Sequence, residues 1–257
     1  MGCRTRVYEN VAGEKTSLGR GNLSFTTMNM PRLAIEARIK AESMEESGKK
    51  EAIERTAKEL FIQSVHQTAE LIAEQLYSRY QYQRTALARQ FPFMMGNDVW
   101  KGGGKLAPND QVGDVLRQGT LGIGFIGGHN AMMALYGESH GHSRKAWDTL
   151  YEAVLEMNKV ADDYKAKYQL NFSVLATPAE GLSGRFTRMD RRKYGTIPGV
   201  TDNDYYVNSF HVDVKESITI VDKIKREAPF HAITRGGHIT YVELDGEAQK
   251  ISKPLPR

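Results

Sequence analysis

Leu121-Gly122-Ile123-Gly124-Phe125-Ile126 is a short apolar run, closed by Gly127-Gly128 and followed by the apolar segment Ala131 to Tyr136. It reads as a strand, a glycine turn and a helix. The rhythm recurs downstream. Ser143 to Tyr168 carries Trp147, Leu150, Val154, Leu155 and Val160 on a helical period, and Asn171 to Leu175 reads as the next strand. Thr177 to Arg192 begins as a turn and continues as a helix. Tyr205 to Val212 reads as a strand, Lys215 to Arg226 as a helix, and Ile239 to Leu244 as a last strand. Strands separated by helices predict parallel pairing and an α/β fold.

Upstream, residues 1–22 lack apolar periodicity and read as an extended loop, followed by a β-like stretch, Leu23 to Met28. Pro31 stands where a helix would begin, with Leu33, Ile35 and Ile39 behind it. Lys49 to Gln90 repeats apolar residues at three and four positions and predicts one long amphipathic helix, stopped by Phe91-Pro92. Residues 93–109 form a loop whose Gly102-Gly103-Gly104-Lys105 lacks the spacing and hydroxyl of a P-loop. Glu247 to Arg257 is polar and reads as a disordered tail.

The 257 residues are 40% hydrophobic and 26% charged, with a mean hydropathy of −0.50. That is an ordinary globular composition. No apolar run is long enough to span a membrane, and no apolar leader follows Met1. With one cysteine as well, the cytoplasm is the expected compartment. A formal charge of +4 points only weakly to anionic partners. The cluster Arg185, Arg188, Arg191, Arg192 and Lys193 lacks interleaved aromatic residues, so direct nucleic-acid binding is not expected.

Cys3 is the only cysteine. It forms no internal disulfide and no thiolate-rich metal site. Free cysteines usually pack as small hydrophobes, yet Gly2, Arg4 and Arg6 give this one polar, cationic company suited to a loop tip. Ala176-Thr177-Pro178-Ala179-Glu180-Gly181-Leu182-Ser183-Gly184 ends a strand and starts a helix. Such a junction offers amides and hydroxyls to a phosphate. On local pattern alone, Thr177 capping the helix with Glu180 completing a capping box is the commoner reading. Gly122, Gly124 and Gly127 match a dinucleotide fingerprint only superficially, because two of them fall inside the strand. Glycines there more often admit a close neighbour. His211 and Asp213 read as one face of a strand, which cannot form a triad with Ser209. His129, His140 and His142 lack nearby carboxylates in sequence and read as surface histidines; no metal site is expected.

Together these segments resemble the class III, oxygen-sensitive ribonucleoside-triphosphate reductases. The resemblance rests on Met-Gly-Cys3-Arg-Thr-Arg, on Gly-Arg-Gly-Asn22-Leu-Ser-Phe-Thr-Thr-Met-Asn29-Met-Pro-Arg, and on Gly-Thr-Leu-Gly-Ile-Gly-Phe-Ile-Gly. It continues through Ala-Thr-Pro-Ala-Glu-Gly-Leu-Ser-Gly-Arg-Phe, Tyr-Tyr-Val-Asn-Ser-Phe-His-Val and Ala-Pro-Phe-His231-Ala-Ile-Thr-Arg-Gly-Gly-His238-Ile-Thr-Tyr-Val-Glu.

The resemblance implies a partial α/β barrel of the glycyl-radical type over residues 1–246, with 1–22 as its finger loop, 49–90 as its long helix and 119–246 as strand-helix units. It implies that Cys3 becomes a thiyl radical that takes the 3′-hydrogen of a ribonucleotide, with Asn22, or less well Asn29, near the ribose. Thr177, Pro178, Ala179, Glu180, Gly181, Leu182 and Ser183 would then hold the substrate phosphates, against the local reading of a simple cap. It further implies formate as reductant, a glycyl radical made by an iron–sulfur, S-adenosylmethionine-using activase, nucleoside-triphosphate effectors and a homodimer. The family's structural zinc, its second cysteine and its radical glycine have no counterpart in these 257 residues. The expectation is an incomplete catalytic portion, inactive and poorly folded alone. A nucleotide-binding module without turnover, or another glycyl-radical enzyme, remain the alternatives.

Overall fold

Asn29 marks where the first strand gives way to a helix. Its side-chain carbonyl accepts from the Arg32 amide at 3.3 Å, and Pro31 sits in the first turn, where a missing N–H costs nothing. The computed structural model describes residues 4–7, 9–45 and 48–242. Its first elements are strand β1 (Asn22–Asn29) and helix α1 (Met30–Met44). The long helix α2 (Lys50–Gln83) extends for about 51 Å at ~1.5 Å per residue. Its buried line, Ile53, Ala57, Phe61, Val65, Ala69, Ile72 and Leu76, follows the expected spacing.

The helix stops seven residues short of the expected Gln90. Backbone bonds from Ala88 N to Asp110 O (2.9 Å) and from Val112 N to Ala86 O (2.9 Å) draw this stretch into a turn instead. Pro92 then opens the short helix α3 (Pro92–Gly96) instead of closing a long one, and α4 (Gly113–Leu116) follows.

Strand β2 (Thr120–Ile126) is buried at all seven positions, as befits a parallel strand covered on both faces. Gly127, at φ 78°, turns it into α5 (Gly128–Tyr136). Ser143 caps α6 (Arg144–Tyr168), which leads to β3 (Asn171–Ala176) and α7 (Glu180–Tyr194). The sheet order is β1-β2-β3, parallel throughout, with Asn22 opposite Thr120 and Thr120 opposite Asn171. Helices α1, α2, α5 and α6 share one hydrophobic core with the sheet. No helix among the described residues is long and apolar enough to cross a membrane.

Two expected strands differ. Tyr205–Val212 is irregular, because loop groups and not a ladder take its backbone. Gly127 N donates to Val207 O, Gly128 N to Ser209 O, and Val207 N to the Asn130 side chain, all at 2.8 Å. Ser209 adopts φ 46°, outside any strand. Residues 239–242 also form no strand, and the rest of that segment, with the tail 247–257, lies outside the described residues. The helix expected over Lys215–Arg226 is shifted to α8 (Ile220–Ile233), started by a Thr219 cap and carrying Pro229 inside.

Candidate functional site

Strand β3 stops at Ala176, and its carboxyl end carries the loop that sequence reading singled out. Thr177 and Ser183 are buried, while Glu180 and Gly181 are exposed. Thr177 does not cap the helix. The cap position of α7 is Ala179, without a side-chain bond, and the Ala179 amide is taken by Asn208 Oδ1 at 3.1 Å. The Thr177 hydroxyl instead meets that of Thr27 on β1 at 3.1 Å. Gly124 lies beneath both, and a side chain there would overlap Thr177 Oγ1. The glycine inside the strand therefore admits a close neighbour, as its placement suggested.

The first intrahelical bond of α7 runs from Ser183 N to Ala179 O at 3.4 Å. The amides of Glu180, Gly181 and Leu182 precede it and have no carbonyl upstream in the helix. Three such amides at the positive end of a 15-residue helix are groups of the kind that can hold an anion. The downstream basic cluster is spent partly on structure: Arg191 donates to the carbonyls of Thr201 and Asn203, and Lys193 pairs with Glu36 at 2.9 Å.

Cys3 lies outside the described residues, but its neighbour Arg4 does not. Arg4 Nη1 donates to the carbonyl of Thr177 at 3.4 Å, so the root of the expected finger loop meets the first residue of the expected phosphate loop. From there the chain descends along β3. Arg6 N donates to Gly236 O at 2.7 Å, and Asn171 Nδ2 donates to the side-chain carbonyl of Asn10 at 3.2 Å.

Asn22 is at the other end of the sheet. It pairs in register with Thr120 and, through it, with Asn171, six residues before Thr177. At ~3.3 Å per residue that is about 20 Å, farther than one nucleotide's ribose lies from its phosphates. The structure does not bring Asn22 together with Thr177–Ser183. Its side-chain Oδ1 accepts from the Thr120 hydroxyl, and the residue lines a cleft of about 640 Å³ with Leu23, Tyr82, Phe91 and Trp100. Asn29 is structural: besides capping α1 it donates to Asp190 Oδ2 at 2.8 Å.

The histidines correct the sequence reading most clearly. His129 and His140 are buried; of the three, only His142 is exposed. Carboxylates do face them: Glu216 lies 3.3 Å from His129 Nδ1 and 3.3 Å from His142 Nε2, and Asp213 lies 3.9 Å from His129 Nε2. Even so, no group of three or more such side chains among the described residues has the geometry of a metal site. Burial drives the His140 imidazole down to about 3, and its Nε2 donates to Phe210 O at 2.8 Å.

Sequence reading also missed a buried trio. His211 Nδ1 meets Glu227 Oε2 at 3.1 Å, and Lys223 holds the other carboxylate oxygen. Burial alone would raise the Glu227 carboxyl, but the bonds from His211 and Lys223 take it below its ordinary value. The ionised acceptor fixes the proton of His211 on Nδ1. No local signal joins these residues: Glu227 is on α8 and His211 on the preceding loop.

The family model for anaerobic ribonucleoside-triphosphate reductase matches residues 1–255. The chain is 33% identical over 248 residues to the anaerobic ribonucleoside-triphosphate reductase of Enterobacteria phage T4, covering 95% of this chain and 37% of that one. The counterpart from Escherichia coli K12 is 32% identical over 248 residues, with 95% and 32% covered. The chain thus spans about a third of the length of these curated relatives. Among solved structures, the anaerobic ribonucleotide reductase of Thermotoga maritima with dATP in the specificity site superposes with a TM-score of 0.63 at 15% identity, over 87% of this chain and 33% of that one. The same enzyme in complex with dATP and CTP gives 0.60 at 15% identity, over 89% and 33%. At that identity the likeness shows the fold alone.

Proposed function

Since the chain belongs to the anaerobic ribonucleoside-triphosphate reductase family, we propose that it supplies the hydrogen-abstracting thiol and the phosphate loop of an enzyme that makes deoxyribonucleoside triphosphates. The observation that carries this reading is the 3.4 Å bond from Arg4 to the Thr177 carbonyl, which ties the residue next to Cys3 to the head of the phosphate loop. A nucleotide whose phosphates rest on the amides of Glu180, Gly181 and Leu182 would then have its sugar near Arg4, the residue after Cys3 in the chain.

In this reading the Cys3 thiyl removes the 3′-hydrogen, the 2′-hydroxyl departs as water, and the thiol returns a hydrogen to the sugar. Formate supplies the two electrons and the hydrogen that replaces the hydroxyl on C2′ and leaves as carbon dioxide, while one further proton goes out with the departing water. A glycyl radical, installed by an iron–sulfur, S-adenosylmethionine-using activase, supplies the oxidising equivalent for Cys3. Asn22, about 20 Å from the loop along the strands, takes no part in holding the same nucleotide. The relative solved with dATP and CTP supports nucleotide effectors and substrates. A homodimer working in the cytoplasm completes the proposal.

The test is Cys3→Ser in the complete enzyme after anaerobic activation. Deoxynucleotide formation is expected to vanish while triphosphate binding persists. A serine variant that still turns over sinks the reading.

A further inference from the structure

Arg235-Gly236-Gly237-His238 belongs to a matched motif to which the proposed chemistry assigns no role. Its two glycines extend the sheet past β3. Gly236 N donates to Val174 O at 2.7 Å, Ala176 N donates to Gly237 O at 2.9 Å, and Leu175 forms a parallel bridge with Gly237. The far side of the same step carries the finger root, through Arg6 N to Gly236 O at 2.7 Å. Gly237 adopts φ 131°, a backbone that side chains rarely take. A Cβ on it would overlap the carbonyl of Arg4 and stand 2.8 Å from Thr5 Cα. One on Gly236 would press on Ser173 Oγ at 2.8 Å and Val174 O at 2.9 Å.

We infer that Gly237 is a positioning residue, whose missing side chain lets the Arg4 backbone sit against the sheet and so sets where the neighbouring Cys3 meets a bound nucleotide. The step cannot yield from below. Its strand-side bonds are made to β3, and on either side of it the Thr234 hydroxyl donates to Phe230 O at 2.8 Å while His231 and His238 stack at 4.2 Å. A Cβ at Gly237 is thus opposed by β3 on one side and by the Arg4 carbonyl on the other. The Arg4 guanidinium adds a second tie, to Thr177 O, so backbone and side chain of one residue join the glycine step to the phosphate loop. This inference rests on Cys3 being the hydrogen-abstracting group.

The experiment compares Gly237→Ala with Gly96→Ala in the complete, activated enzyme. Gly96 is the control, because a Cβ there meets nothing within 4 Å. For Gly237→Ala, kcat is expected to fall on the order of a hundredfold. KM for the triphosphate should stay within about twofold. Amide exchange in the peptide containing Arg6 should quicken, with the rest of the molecule unchanged. Unchanged kcat and exchange would overturn the inference, as would a uniform loss of protection showing a merely structural glycine. Should the variant fail to fold, Arg4→Gln decides: kcat falling at constant KM supports positioning, and unaltered kcat refutes it. An active Cys3→Ser enzyme would sink the functional reading instead, leaving the exchange arm to report on the glycine seat alone.

Discussion

The hydroxyls of Thr27 and Thr177 meet at 3.1 Å across the central strand, directly over Gly124. Thr27 belongs to β1 and faces Gly124 in register, while Thr177 follows β3. The loop that begins at Thr177 is therefore fastened to the far strand of the sheet through a gap that only glycine leaves open. Gly124→Ala is expected to push Thr177 outward, carrying the loop's carbonyl away from Arg4. Affinity for ribonucleoside triphosphates, read by calorimetry, should drop about tenfold, or ~1.4 kcal/mol. Unaltered affinity would detach Thr177 from the binding function.

Helix α7 is held by Asp190. This fully buried carboxylate accepts from Asn29 Nδ2 at 2.8 Å, from Arg32 Nε at 2.7 Å and from the Tyr206 hydroxyl at 2.9 Å. It thereby joins α7 to the start of α1. Tyr206 is pushed well above its usual range, first by burial and then by the Asp190 charge, and stays a donor. Asp190→Asn replaces an acceptor by an amide facing Arg32, which loses its ion partner. Asp190 is fully buried but Arg32 is part-exposed, so the loss is about 2–3 kcal/mol, below that of a pair buried on both sides. Denaturant unfolding should show that loss; a change below about 1 kcal/mol would mean the network contributes little.

The parts legible in the sequence are those set by local chemistry. The helix beginning at about Ser143, Pro31 in a first turn, and the apolar runs of β2 and β3 need only their neighbours to be read. What escaped is set across the chain. The end of α2 depends on partners at Pro108–Val112 that no window around Gln83 contains. The alternating apolar residues at Tyr205–Val212 earned a strand assignment, yet Tyr206, Phe210 and Val212 are buried in an irregular segment whose carbonyls meet the turn before α5. His129 looked unsupported because Asp213 and Glu216 arrive from a distant loop. At the site, the residue types of Thr177–Ser183 alone read as a helix cap and only the family resemblance set the loop apart, whereas Asn208, Arg4 and Gly237, which hold that loop or the finger root beside it, were visible only in three dimensions.

The long helix has its own test. Phe61 is fully buried at the middle of α2's apolar line. Phe61→Ala removes a ring where the surrounding helices cannot fully collapse, at about 3–5 kcal/mol. Thermal or urea unfolding of the variant measures it, and a loss under about 1 kcal/mol would show that α2 is not packed through this face.

His140 gives the fold a sign-defined acid sensitivity. Its side chain is fully buried, Nε2 donates to Phe210 O, and Nδ1 is buried without a partner. Burial lowers it from 6.5 to about 3. Between those values the unfolded chain binds a proton that the folded chain refuses. Stability from this residue is therefore intact above the unfolded value and falls as pH drops, at up to about 1.4 kcal/mol per pH unit. His140→Gln keeps a donor for the Phe210 carbonyl and removes the titration. Urea midpoints taken at about pH 7 and about pH 5.5 should then show the parent losing roughly 1 kcal/mol more than the variant. Equal losses in the two proteins would mean that His140 accepts its proton without leaving the fold.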